Sequence, residues 1–431
     1  MIEEFSFGNF WSFKEINSLN LTAAKIKSKS TALDTANTIP VNNQLSLLKS
    51  KAIFGANASG KSNVIRALVT FLKIVRHSVK EEEVLSLINS FRLSTETEDE
   101  PTFFQLIFRY ENIKYRYGFE TTDEKISSEW LFATPNVREQ VLFIREHNKI
   151  IELSQTHYAE GYKLTSLLDD NENEVFRNNS LFLSSVASFG FGKLSKNLIE
   201  AISSITVISG LGHQGMYNVA GDALDDAKTR KYIINFLKYA DVGINDLDTI
   251  EVSKENLPEN VVQEMRAEYG NRKKKKLVIS RRFKYNKYND VAGEEVFSFA
   301  LQESEGTKKM FELSPFIYNA LQKGTPLIID EFDSRFHPLL TKKIVELFNS
   351  KDNSNAQLIF VTHDTNFLSA DILRRDQIDF VEKDKFGASR LYTLVQFKGV
   401  RNTASFEKDY FRGKYGGIPF LGDFGKIFNA S

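Results

Sequence analysis

Apolar residues recur along this chain with two different periods, and the change of period divides it. Up to about residue 185 the pattern is that of strands. Phe103-Phe104-Gln105-Leu106-Ile107-Phe108 and Tyr115-Arg116-Tyr117-Gly118-Phe119-Glu120 flank the polar turn Glu111-Asn112 and predict an antiparallel hairpin. Trp130-Leu131-Phe132 and Val141-Leu142-Phe143-Ile144 extend it. From about 190 to 295 the spacing becomes mainly helical, with Leu198, Ile199, Ile202 and Ile205 on one stripe and Tyr232, Ile233, Phe236 and Leu237 on another. Three short, mostly apolar runs stand apart: Lys51-Ala52-Ile53-Phe54, Pro326-Leu327-Ile328-Ile329 and Gln357-Leu358-Ile359-Phe360-Val361. Each reads as a buried strand of an α/β sheet, and each ends on residues able to do chemistry. No repeat and no sustained heptad is present. Mobile segments are expected at Lys25 to Gln44, Glu96 to Pro101 and the acidic turn Asp169 to Glu174.

The first run leads into Gly55-Ala56-Asn57-Ala58-Ser59-Gly60-Lys61-Ser62-Asn63, after which Val64, Leu68, Phe71, Leu72, Val75 and Val79 recur at helical spacing. Strand, glycine-bounded loop and helix form the context for cradling a triphosphate. Glycines permit the turn and the close backbone approach, the helix N-terminus faces the anion, Lys61 reaches the β- and γ-phosphates, and the Ser62 hydroxyl ligates Mg²⁺. Gly55, Asn57, Ser59, Gly60, Lys61, Ser62 and Asn63 are thus the candidate ATP-binding residues. The second run ends in Asp330-Glu331. Adjacent carboxylates at a strand end suit two jobs, Asp330 holding Mg²⁺ and Glu331 polarising the attacking water. The third run delivers His363 to the same sheet edge, within reach of a γ-phosphate. Shortly before the carboxylate strand, Ser304-Glu305-Gly306-Thr307 begins a helix through Lys308, Met310 and Phe311, whose N-terminal donors suit a phosphate or an ordinary helix cap.

Ser304-Glu305-Gly306-Thr307 resembles the signature motif of ATP-binding-cassette ATPases. The resemblance narrows with Phe7-Gly8-Asn9-Phe10-Trp11-Ser12-Phe13-Lys14-Glu15, with Asp330-Glu331-Phe332-Asp333-Ser334-Arg335-Phe336-His337-Pro338, and with two later stretches. These are Arg374-Arg375-Asp376-Gln377-Ile378 running on to Phe380-Val381-Glu382-Lys383-Asp384, and Tyr410 to Pro419. Together they are similar to the AAA15 group, related to the OLD, RecF and SMC-type cassette ATPases. The resemblance implies a P-loop fold of mixed sheet with an antiparallel β subdomain and an inserted helical signature lobe. It implies a head-to-tail homodimer or higher homo-oligomer in which Ser304 and Gly306 of one copy close over nucleotide held by another, with Asp333 communicating between the sites. The implied division is 1–189 (core with phosphate loop and β subdomain), 190–298 (inserted, mainly helical lobe) and 299–431 (signature helix and the rest of the core). That family places a glutamine after the strand joining core to lobe, and the stretch matched to it, Leu181 to Ser188, has none. Its members commonly sit in bacterial antiphage defence beside a nuclease or toxin, which implies an effector protein encoded nearby.

Composition changes this picture little. The 431 residues carry 56 Lys plus Arg against 56 Asp plus Glu, so any pull on an anionic partner is local. From Arg266 to Lys287 basic residues gather with Tyr269, Phe283, Tyr285 and Tyr288, a candidate nucleic-acid contact and the basis of an alternative reading as a RecF-like DNA clamp. An acidic protein would fit the same charges. The absence of cysteine excludes disulfides, thiolate metal sites and cysteine nucleophiles. With no run of apolar residues long enough to span a bilayer and no basic leader, a cytoplasmic location is expected, with no membrane partner. His77, His147, His157 and His213 show no metal-ligand spacing.

Overall fold

The computed structural model describes residues 1–167, 177–209, 211, 214–240, 243–253, 274–401 and 404–418. Its core is a six-stranded sheet in the order Thr206–Ser209, Pro326–Asp330, Gln357–Val361, Ser50–Gly55, Ile378–Lys383, Ser389–Thr393. All neighbours pair in parallel except the last, which is antiparallel. The three apolar runs thus become adjacent central strands. Their side chains alternate between two hydrophobic cores: Ile53, Ile328 and Ile359 face one, Ala52, Phe54, Leu327, Ile329, Leu358 and Phe360 the other. Burial on both faces is why these strands read as continuous apolar runs.

A second, seven-stranded antiparallel sheet runs Lys149–Leu153, Gln140–Glu146, Ile126–Thr134, Ile113–Thr121, Thr102–Tyr110, Ile2–Gly8, Asn17–Asn20. The expected hairpin is at its centre, turning through Glu111 and Asn112, both left-handed with φ 47° and 65°. Helix Lys61–His77 is clamped between the two sheets. Its Phe71 ring stacks on Phe119 at 5.5 Å and meets Phe5 edge-on at 5.6 Å, while Val64, Leu68 and Val75 join the same core as Ile53 and Ile328. Burying Phe71 contributes about 2–3 kcal/mol.

The span 190–298 holds the expected helices Leu194–Ser203 and Ala227–Tyr239 together with Gln214–Ala223, but also two strand regions. Thr206–Ser209 forms the edge of the core sheet, and Asp246–Ser253, Lys274–Tyr285 and Val291–Ser298 make a three-stranded antiparallel sheet. The lobe is therefore mixed rather than mainly helical. Helical spacing dominates its apolar signal because the hairpin Lys274–Tyr285/Val291–Ser298 is exposed along much of its length and has little core face to announce it.

Two segments expected to be mobile are pinned. Between Lys25 and Gln44, helix Thr31–Ala36 and strand Thr38–Pro40 form, and the Arg374 guanidinium pairs with both Asp34 and Asp376. Between Glu96 and Pro101, the Asn9 side-chain amide donates to the carbonyls of Thr97 and Glu100 at 2.8 and 2.7 Å. The acidic turn Asp169 to Glu174 lies outside the described residues.

Candidate nucleotide site

The loop between strand Ser50–Gly55 and helix Lys61–His77 has the backbone its glycines require. Gly60, the residue before the helix, sits at φ 111°, and a Cβ there would meet Ser389 Oγ at 2.5 Å and Ser12 Oγ at 2.7 Å. A Cβ on Gly55 would meet the Val381 carbonyl at 2.4 Å. The AAA15-like stretch around Phe380-Val381 is thus the wall against which the phosphate loop is built. Lys61 Nζ donates to the carbonyls of Gly55 and Ala56, each at 2.9 Å, which folds the amine back over the loop. Ser59 Oγ is buried there without a hydrogen-bond partner, a polar atom suited to an anionic guest. Cradle, amine and hydroxyl fit a bound triphosphate.

Downstream segments converge on the same amine. Burial lowers the Lys61 pKa, and Asp330, then Asp333, then Glu331 oppose that shift, so all three carboxylates lie in its field. Asp330, at the end of its strand, has its carboxyl raised by burial, against a hydrogen bond from Ser62 and the charges of Lys61 and Arg66. The two residues matched to Mg²⁺ therefore face each other. Glu331 holds φ 52°, a left-handed conformation unusual for glutamate, as the chain leaves the strand. Phe332 N–H then donates to the Val361 carbonyl at 2.9 Å, locking the carboxylate turn to the histidine strand. His363 N–H donates to Asp333 Oδ1 at 3.2 Å. Burial and the Lys61 charge lower the imidazole pKa below its ordinary value, so the ring is neutral at pH 7 and keeps one N–H donor.

Ser304 caps helix Glu305–Lys323 as the spacing predicts, its hydroxyl accepting from Thr307 N–H at 3.2 Å. A Cβ on Gly306 would come within 3.2 Å of the Arg335 carbonyl, so this helix start lies against the turn that follows the carboxylates. Farther along the helix, Lys309 Nζ donates to the carbonyls of Phe332 and Ser334. Ser304 and Gly306 line a cavity of about 690 Å³ with Arg282, Arg335 and His337.

Leu181 to Ser188 is not the junction from core to lobe. It forms helix Phe182–Phe189, which packs on the antiparallel sheet, and the Glu129 carboxylate accepts from its first backbone N–H groups. The strand that leaves the core for the lobe is Thr206–Ser209, and the residue opening the next helix is Gln214. Helix Gln214–Ala223 lies against the signature helix, with Tyr217 edge-on to Phe311 at 5.7 Å. Sequence reading missed Gln214 because a four-residue edge strand gives too short an apolar run to separate from its helical surroundings.

In the basic segment, Arg266, Tyr269, Arg272 and Lys273 lie outside the described residues, as does His213. Lys276, Arg281, Arg282 and Lys284 each pair with a carboxylate, those of Asp225, Asp248, Glu303 and Glu295 respectively. That part of the patch is neutralised by the protein itself. No helix among the described residues is long and apolar enough to cross a membrane.

A mixed-sheet α/β fold with a glycine-bounded phosphate loop, two strand-end carboxylates and a strand-end histidine around one lysine defines a P-loop nucleotide-binding protein. The chain belongs to the family described as "AAA domain, putative AbiEii toxin, Type IV TA system", whose pattern matches residues 52–369. No curated protein matches it. Among solved structures, an SMC head domain from Thermotoga maritima is 13% identical with a TM-score of 0.41, over 91% of this chain and 98% of that one. An Smc head domain with an extended coiled coil, bound to the C-terminal domain of ScpA derived from Pyrococcus furiosus, is 12% identical with a TM-score of 0.39, over 96% and 98%.

Proposed function

We propose that this protein is an ATPase that binds and hydrolyses ATP at the Lys61 site and, through that cycle, regulates a separate effector. The observation that carries the reading is the convergence of Lys61, Asp330, Glu331, Asp333 and His363 in one electrostatic neighbourhood, although they lie far apart in the chain. Gly55, Asn57, Ser59, Gly60 and Asn63 shape the cradle, Lys61 holds the β- and γ-phosphates, and neutral His363 donates to the γ-phosphate. Glu331 orients the attacking water and accepts its proton. Ser62 and Asp330 would hold Mg²⁺, which supplies charge neutralisation between the β- and γ-oxygens. Ser304 and Gly306 act on nucleotide held by a second copy, Asp333 links the two sites, and Gln214, by its place between core strand and signature helix, couples the site to the lobe.

The family description, which names a toxin and a TA system, supports a role beside an effector in defence. The DNA-clamp alternative draws no support from the described basic residues, whose charges are paired. Measuring nucleotide binding and phosphate release separates the roles. Lys61→Ala is expected to abolish ATP binding, and Glu331→Gln to keep binding while turnover falls about 100-fold or more. Undiminished turnover in the glutamine variant removes Glu331 from the chemistry, and wild-type protein that binds no ATP ends the ATPase reading. Turnover stimulated by duplex DNA and lost steeply with salt would restore the clamp.

A further inference from the structure

We propose that Trp11 and Arg66 form a stacking platform for the base of the bound nucleotide, an assignment that rests on the ATPase reading and extends it from phosphate to base. The turn Phe10 to Phe13 is stapled to the phosphate loop. Ser12 Oγ accepts from Asn63 Nδ2 at 2.9 Å and lies 2.8 Å from Ser389 Oγ, which in turn lies 2.6 Å from the Ser59 carbonyl. The Ser12 carbonyl also accepts from Ser389 N–H at 2.6 Å. These bonds fix the residue before Ser12 beside the cradle.

That residue is a tryptophan, and its environment does not account for it as core. Trp11 is 40% exposed, stands in the left-handed region at φ 50°, and has its backbone N–H tied to the Asn89 carbonyl at 2.7 Å. The other tryptophan shows what a structural indole looks like here: Trp130 stacks on Phe103 at 5.7 Å and gives its N–H to Gln105 at 3.1 Å. Trp11 carries instead a guanidinium. Arg66 lies over its ring at 4.4 Å and is oriented by Asn63 Oδ1 at 2.9 Å. Ser62 and Arg66 share one face of helix Lys61–His77, and Arg66 is near enough to Asp330 to pull its carboxyl pKa down. The platform therefore adjoins the phosphate site on the element that carries Lys61. An exposed indole backed by a fixed cation, in a strained turn held to a phosphate loop, suits a flat purine ring whose phosphates enter that loop.

The test compares ATP with inorganic tripolyphosphate, which has the phosphates and no base. By calorimetry, Trp11→Ala is expected to weaken ATP about ten-fold and leave tripolyphosphate unchanged, while Trp11→Phe keeps most of the ATP affinity. In a Trp130→Phe background Trp11 is the sole tryptophan, and ATP but not tripolyphosphate is expected to quench its fluorescence. Equal weakening of both ligands would show that Trp11 only supports the loop, and unchanged affinity for both would show that it does nothing for binding; either result overturns the platform. If wild-type protein binds neither ligand, the ATPase reading fails and the platform with it. If it binds both and only the Trp11 variant is silent, the platform alone falls.

Discussion

At the scale of single residues, the most constrained charge outside the nucleotide site is Glu129. It is fully buried and accepts hydrogen bonds from Phe182 and Leu183 N–H at 2.6 and 3.0 Å and from Tyr117 Oη at 2.9 Å, while Arg145 lies 3.4 Å away, also fully buried. One carboxylate thus caps helix Phe182–Phe189, whose own leading residue Leu181 offers no side-chain cap, and balances a buried cation. Removing it strands Arg145. Glu129→Ala is expected to cost about 3–5 kcal/mol and Glu129→Gln less, measured by chemical denaturation followed through the neighbouring Trp130. Nothing in the sequence marks this glutamate, because its partners arrive from residues 117, 145 and 182. Lys61, Asp330 and Glu331 were legible because their chemistry is carried by short contiguous patterns.

At the scale of elements, the signature helix Glu305–Lys323 is legible from its cap and spacing, yet its grip on the carboxylate turn is not. That grip comes from Lys309, whose amine reaches the Phe332 and Ser334 carbonyls and whose pKa burial lowers to about 8. One turn on, burial first and the Glu305 charge second raise the Glu312 carboxyl to about 7. A carboxyl whose folded pKa exceeds its unfolded value carries no penalty below the unfolded value of 4.5, and its cost grows as pH rises through about 7. Glu312→Gln is therefore expected to leave stability unchanged at pH 4.5 and raise it at pH 8 by about 1 kcal/mol after allowance for solvent screening. Melting temperatures at the two pH values check this. A uniform gain at both would trace the effect to packing. Elements that went unread share one property: the edge strand Thr206–Ser209 and the exposed hairpin Lys274–Tyr285/Val291–Ser298 each lack the buried face that would set a clear period.

At the scale of the whole molecule, a three-layer arrangement, antiparallel sheet, helix Lys61–His77 and core sheet, places all four chemistry-bearing segments on one side of the fold while Ser304 opens toward a cavity shared with the lobe. The α/β class and the antiparallel subdomain were readable from runs and alternation, whereas the order of strands was not, since pairing across hundreds of residues leaves no local trace. If copies share sites, mixing a Lys61→Ala chain with a Ser304→Ala chain should recover about a quarter of wild-type ATP turnover under statistical exchange. Complete failure to recover it would assign Ser304 to its own copy.

Strand Ser50–Gly55 has a consequence that begins on the ribosome. Its two hydrogen-bonded neighbours, Gln357–Val361 and Ile378–Lys383, emerge some 300 residues after it, so the strand that leads into Lys61 is translated long before either flank exists to shield it. The nascent protein must carry an apolar, unpaired segment through most of its synthesis, and a chain halted anywhere before residue 357 has the lysine but neither partner strand to anchor its loop. Competence to grip nucleotide is thus a late event in the making of each molecule, and unfinished copies are born inert.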